Sequence, residues 1–170
     1  LSILTDAICA NCSPTSHVTR SAHSSGKDDH HKFEYKGNPT ECALLKLSVL
    51  LGADYRSRTT KYASPPGSAL DWGVKTFPFS SQRKKMSWVV RNGSGYRLFC
   101  KGAPKALYTT SKDFLLADGV SKQTMTPADV ESLRKTILTY ENLAMRTLAL
   151  AYRDFDDVPK GVWNVKEGEG

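Results

Sequence analysis

The chain has 170 residues, one domain's worth, since domains most often run to about 100–150 residues. It is 39% hydrophobic and carries 24 basic against 17 acidic side chains, a net charge of +7, which excludes disordered and fibrous classes. No apolar run approaches the ~18 residues of a membrane-spanning helix. A chain of this size buries roughly two thirds of its unfolded surface and needs no disulfide or metal to fold. The basic excess suits a polyanionic partner (nucleotide, nucleic acid or acidic membrane face), or else serves solubility alone. The opening Leu1-Ser2-Ile3-Leu4-Thr5-Asp6 has neither an initiator Met nor a basic leader, so it is not read as a signal peptide. The closing Glu167-Gly168-Glu169-Gly170 reads as a flexible ending, and both ends as cuts from a longer polypeptide.

In chain order, Cys9 and Cys12 form a lone Cys-x-x-Cys, while Cys42 and Cys100 sit among apolar neighbours, a reduced, cytosolic usage. With His17 and His23 they can be drawn as a zinc site. The histidines follow too closely for a zinc finger, and two cysteines packing on a helix is the preferred reading. Residues 13–32, rich in Ser and His and ending near His30-His31, read as a long exposed loop. Residues 38–52 are the clearest helix: Asn38 caps it, Pro39 takes the first position and Glu41 completes a capping box. Ala43, Leu44, Leu47, Leu50 and Leu51 give its apolar stripe, and Gly52 its left-handed stop. Residues 56–68, with Pro65-Pro66-Gly67, read as a second exposed loop.

Val74 to Phe79 is β-like, and Met86 to Arg91 with Tyr96 to Cys100 flank Asn92-Gly93-Ser94-Gly95 as a hairpin. A short helix fits Ala103 to Tyr108. A longer one runs from Thr126-Pro127 to about Ala144 with Val130, Leu133, Ile137, Tyr140 and Ala144 on one face. Thr147 to Tyr152 is the last strand. Hairpin-paired strands with helices between others predict an α+β fold, an antiparallel β-sheet flanked by helices, as a single domain over 1–170.

Common phosphate-loop, dinucleotide, serine-hydrolase and zinc-protease motifs are absent. Two stretches carry chemistry instead. Phe77-Pro78-Phe79 beside Arg83-Lys84-Lys85-Met86 is either a base-stacking face next to phosphate-attracting charge or a strand end with a solvated basic turn. Phe99-Cys100-Lys101-Gly102-Ala103-Pro104 either lets a ligand approach the backbone beside a cation or is a plain strand-to-helix turn.

Gly37-Asn38-Pro39-Thr40-Glu41-Cys42-Ala43-Leu44, Phe79 with Arg83-Lys84-Lys85-Met86-Ser87, Lys101-Gly102-Ala103-Pro104 and Met145-Arg146-Thr147-Leu148-Ala149-Leu150-Ala151 follow one another in a recognisable order. Together they resemble the nucleotide-binding (N) domain of P-type cation pumps, and the Thr-Glu-Cys-Ala-Leu wording resembles the plasma-membrane calcium pump type. Residues 8–16 are similar to the stretch that follows the family's phosphorylation region. The resemblance covers residues 1–16, 37–52, 72–107 and 141–155, leaving out both polar loops and the tail.

That resemblance implies an ATP-binding domain of a calcium-transporting ATPase, with magnesium in the full-length protein. Glu41 would hydrogen-bond the adenine amino edge with Thr40 beside it, and Phe79 would stack on adenine. Lys84 would approach base or phosphates, Met86 would belong to the same nucleotide-binding set, and Lys101 would line the pocket floor. Gly102 and Ala103 would leave room, Arg146 would contact phosphates, and Leu148 would pack at the pocket wall. No catalytic residue and no metal ligand is implied here: the γ-phosphate would go to an aspartate on a separate phosphorylation domain. The implied partners are that domain and the actuator domain of the same parent chain. The parent would be an integral membrane protein of the plasma membrane or an intracellular calcium store, with this domain on the cytosolic face. Ser81 stands where reticulum-type pumps carry Arg, and Lys105 stands where the family's usual residue is acidic. The alternatives are a basic nucleic-acid-binding module using Phe77, Phe79, Arg83, Lys84 and Lys85, a regulatory domain docking through the Ser/His loop, and an N domain of a pump for another cation.

Overall fold

A computed structural model describes residues 2–21, 33–62 and 75–157 of the chain. Helix α1 (Ser2–Ala10) leads into a two-stranded antiparallel ribbon of β1 (His17–Arg20) and β2 (Phe33–Lys36), followed by α2 (Pro39–Leu50) and α3 (Tyr55–Tyr62). Then come β3 (Lys75–Ser80), β4 (Lys85–Asn92), β5 (Gly95–Gly102), α4 (Pro104–Tyr108), a small ribbon of β6 (Asp113–Leu115) and β7 (Lys122–Thr124), α5 (Pro127–Asn142) and β8 (Ala149–Phe155). The main sheet has the order β3-β4-β5-β8, every pair antiparallel. The α+β architecture with an antiparallel sheet and flanking helices is the one the sequence predicts.

Helix α1 is the spine of the core. Its Thr5, Ala7, Ile8, Cys9 and Ala10 are buried, and it packs on two sides. Ile8 and Cys9, with Cys12 just beyond the helix, pack with Val18, Phe33, Cys42, Leu45 and Tyr55. Ala7 and Ala10 instead meet Val90, Phe99 and Tyr62, their small side chains letting the helix lie close to the sheet. Phe99, 1% exposed, sits edge-on to Tyr62 at 6.1 Å. Such a pair adds about 0.5–1.5 kcal/mol beyond its burial. Asp6 on α1 and Arg58 on α3 form an ion pair that ties the two helices.

Helix α2 begins and ends as its sequence predicts. The Asn38 Oδ1 accepts from the backbone N–H of Thr40 and Glu41, and Pro39 supplies the first turn. Gly52, at φ +78°, donates to the Val49 carbonyl while Ala53 N–H reaches the Ser48 carbonyl, the paired bonds of a Schellman stop. The buried face differs from the predicted stripe. Cys42, Leu45 and Ser48 point inward, whereas Leu47 and Leu50 are 40% and 61% exposed. Apart from Leu45 the inner face is made of small and polar residues, so hydrophobicity alone picks the wrong side.

The β4–β5 hairpin closes over Gly93-Ser94 with Asn92 opposite Gly95, as predicted. Helix α5 starts at Thr126-Pro127 as predicted, with Thr126 and Asp129 forming a full reciprocal capping box, yet buries none of its residues. Its predicted apolar face therefore has no core to meet among the described residues. Within residues 13–32, read as loop, the structure forms strand β1, and residues 22–32, including His23, His30 and His31, lie outside the described residues. Within 56–68, read as the second loop, α3 reaches Tyr62; residues 63–74 are outside the described residues too.

Candidate functional site

Strand register gathers the sequence-predicted residues at one end of the sheet. Ser80 pairs with Lys85, Lys85 with Gly102 and Gly102 with Ala149, so one row crosses all four strands at that end. Phe79 immediately precedes this row on β3, Lys84 lies in the turn just outside it, and Ala103 and Leu148 flank it. One rung inward, Met86 stands opposite Lys101, and Lys101 opposite Leu150.

Strand β3 is an edge strand, which explains how it tolerates Pro78. Between Phe77 and Ser80 it holds one residue more than the facing stretch of β4, a bulge. A bulge re-aims side chains. Phe79 accordingly lies 64% exposed, a large aromatic surface with little cover. The following turn closes through Lys84 N–H to the Ser80 carbonyl at 2.7 Å, and Lys84 adopts a left-handed φ of +54° to do it. Its carbonyl then accepts from Ala103 N–H at 2.9 Å, which links the β3–β4 turn to the start of α4.

Gly102 has a different reason from the one its sequence setting suggests. A Cβ there would lie 2.5 Å from the Lys84 carbonyl oxygen and 2.7 Å from the Lys85 Cβ. The room that glycine leaves is filled by the chain's own turn.

Helix α2 brings the other half of the site. Glu41, on its first turn, is 8% exposed, and Lys101 is 7% exposed. Lys101 Nζ donates to Glu41 Oε1 at 3.2 Å and to the Asn11 carbonyl at 2.6 Å. Glu41 Oε2 accepts from Ser13 N–H at 2.9 Å and from Ser16 Oγ at 2.7 Å. Burial pushes this carboxyl's pKa up; the hydrogen bonds from Ser16 and Ser13 and the Lys101 charge outweigh it, holding the group below its ordinary range. The predicted capping box is only half made. The Asn38 N–H that Glu41 would cap donates instead to Ser16 Oγ at 3.2 Å, which frees the carboxylate for Lys101.

Arg146 extends from the segment before β8 and reaches Thr40 Oγ1 at 3.4 Å. The structure thus joins Thr40 with Arg146, and Glu41 with Lys101, and sets Phe79, Lys84, Met86, Ala103 and Leu148 around the same sheet end. Phe79, Lys84, Arg146 and Leu148 are exposed, so the site is an open shelf over a buried ion pair. A concavity of about 730 Å³ lies elsewhere, lined by residues such as His17, Tyr35, Tyr55 and Arg56, and touches neither Phe79 nor Lys101. It too carries aromatic and cationic side chains, Tyr35, Tyr55, Lys36 and Arg56, but none of the nucleotide-binding residues that the resemblance implies. Sequence reasoning missed Asn11, Ser13 and Ser16 as partners of the site. Only the folding of α1 against α2 brings them there, and no local pattern carries that signal.

The cysteines behave as packing residues. Burial pushes the Cys9 thiol up to about 11 and the Cys12 thiol to about 12, which keeps both protonated at neutral pH. Among the described residues no three His, Cys, Asp or Glu side chains converge as a metal site. Among the same residues no helix is long and apolar enough to cross a membrane.

The family model for the P-type ATPase cytoplasmic domain N matches residues 7–167. Plasma membrane calcium-transporting ATPase 1 of Homo sapiens is 36% identical over 157 residues, which is 91% of this chain and 12% of the relative. Calcium-transporting ATPase PAT1 of Dictyostelium discoideum is 34% identical over 155 residues, 91% of this chain and 12% of its own. Calcium-transporting ATPase 4, plasma membrane-type, of Arabidopsis thaliana is 32% identical over 136 residues, 79% of this chain and 12% of its own. The chain therefore spans about an eighth of the length of these relatives.

Proposed function

The chain belongs to the P-type ATPase cytoplasmic N-domain family, and from that premise we propose that it is the ATP-holding module of a calcium-transporting pump. The observation that carries the reading is the exposed Phe79 at the same sheet end as the buried Glu41–Lys101 pair. An aromatic face offers stacking to a purine, and a carboxylate with an unfilled acceptor position offers a partner for an amino group. Phe79 stacks on adenine, Glu41 accepts from its amino edge with Thr40 beside it, and Met86 and Leu148 pack around the base. Lys101 holds Glu41 in place at the floor. Lys84 and Arg146 supply positive charge toward the phosphates.

The module's contribution is positioning. Held by its base, the nucleotide extends its γ-phosphate toward an aspartate on a separate phosphorylation domain, and hinge closure converts an encounter into a near-attack arrangement. Magnesium enters with the triphosphate in the complete pump. Calcium is the transported ion, in keeping with the printed names of the relatives, and the parent sits in a membrane with this domain on its cytosolic side.

The test is titration of the chain with ATP, followed by amide chemical shifts and Trp88 fluorescence. Saturable binding is expected with a Kd of roughly 1 mM, about −4 kcal/mol. Phe79→Ala should remove ~1–3 kcal/mol of it, the usual worth of one aromatic–base stack. Absence of ATP binding at about ten times that concentration, together with tight and salt-sensitive oligonucleotide binding, would overturn the proposal.

A further inference from the structure

We propose that Ser16 is a positioning residue for base recognition: by filling the second acceptor direction of Glu41 Oε2, it leaves Oε1 as the one carboxylate oxygen able to take a donor from the purine edge. The inference rests on the reading of Glu41 given above. An ionised carboxylate offers about four lone-pair directions and no proton. Oε2 spends two, on Ser13 N–H at 2.9 Å and Ser16 Oγ at 2.7 Å. Oε1 spends one, on Lys101 Nζ at 3.2 Å. The Glu41 side chain retains 11% exposure, so a ligand atom can still reach it.

The direction of the Ser16 bond follows from its other partner. Ser16 is 3% exposed, and its oxygen already accepts from Asn38 N–H at 3.2 Å. Its single proton is left for Glu41. Ser16 therefore pins the carboxylate to the same backbone that caps α2 and carries Thr40. An adenine presents an amino donor where guanine presents a carbonyl oxygen. A carboxylate oxygen fixed in orientation accepts from the first and repels the second, so the fixed Oε1 becomes a purine discriminator. A freely turning carboxylate would discriminate less.

The experiment compares ATP and GTP affinities, by amide shifts, for the 170-residue chain and its Ser16→Ala, Ser16→Thr and Glu41→Ala variants, with thermal unfolding as a check of the fold. Ser16→Ala should weaken ATP about tenfold, the scale of one hydrogen bond to a charged group, while GTP changes little. Ser16→Thr, which keeps the hydroxyl, should restore the ATP-to-GTP ratio. If Ser16→Ala fails to fold, Ser16→Cys replaces it, a weak donor of similar size for which an intermediate ratio is expected. A wild-type ratio in Ser16→Ala beside a collapsed ratio in Glu41→Ala overturns the Ser16 inference and leaves the Glu41 reading standing. Equal losses for both nucleotides, not rescued by Thr, make Ser16 structural only and likewise overturn it. An unchanged ratio in Glu41→Ala overturns the Glu41 reading, and the Ser16 inference falls with it.

Discussion

The Glu41 carboxylate and the Lys101 ammonium lie 3.2 Å apart with hardly any water access, and each has further partners. Satisfying the remaining lone pairs and protons is what lets such a pair exist, because the loss of hydration must be made good by hydrogen bonds as well as charge. A stability consequence follows from the pKa direction. The folded Glu41 is held below its unfolded value, so its contribution is full above the unfolded pKa and is lost as pH falls through the folded one. Glu41→Gln keeps the shape but removes the charge, leaving Lys101 buried without a counter-ion. That change should cost about 3 kcal/mol at neutral pH, near the low end for a broken buried pair. It should also flatten the fall in stability between neutral pH and the acid range. Urea midpoints at pH 7 and in the acid range, for both forms, check this: an equal drop in both would mean Glu41 is not the group that titrates. Lys84 shows a different sort of constraint. Its left-handed backbone costs roughly 1–2 kcal/mol, accepted because the turn must offer its carbonyl to Ala103.

Among elements, the β3–β4 turn and the end of β5 depend on each other. Gly102→Ala would drive a Cβ to 2.5 Å from the Lys84 carbonyl, against backbone that cannot swing away like a side-chain tip. The expected cost is about 1–3 kcal/mol of stability, as for overpacking elsewhere. Nucleotide affinity should fall with it, since Phe79 and Lys84 sit on the displaced turn. Thermal unfolding and ATP titration of that single variant check both; a stable protein with unchanged amide shifts at residues 79–85 would remove the turn from the argument. How legible each element was in sequence follows from how local its cause is. The Asn38 cap, the Gly52 stop and the Gly93 hairpin are set by neighbouring residues, and all appear as predicted. Helix α1 is nine residues long, about two and a half turns, too short a window for helical periodicity to single it out. The inner face of α2 turns on Ser48 and Cys42, which pattern reading passes over in favour of Leu47 and Leu50. Phe79, Lys101 and Glu41 were readable through family resemblance. The hydroxyl and amide partners of Glu41, some 25 to 28 residues distant in sequence, were not.

At the scale of the whole molecule, the site draws on α2, β3, β4, β5 and the segment before β8, so the shelf exists only when the domain is folded. The net charge of +7 surrounds it with a positive field, and Lys84 and Arg146 stand exposed on the shelf itself. Charge exposed to water is screened within about 10 Å at 0.1 M salt and about 3 Å at 1 M, whereas the proposed stacking on Phe79 and contact at the buried Glu41 would be far less affected. The two halves of the nucleotide should therefore respond differently. ATP affinity should drop several-fold between about 0.1 M and 1 M salt, and adenosine affinity should stay nearly level, the two converging at high salt. Parallel titrations of ATP and adenosine across that range measure the split. A steep salt dependence for both would mean that diffuse charge, and not the base contacts, holds the ligand. On the proposed reading, phosphate should not be released at any salt concentration, since the aspartate that would receive the phosphoryl group lies on a separate domain. Binding without turnover is what a domain that positions a nucleotide for another domain's aspartate should do, and a base-anchored grip that survives salt would let the charged end remain free to be handed across.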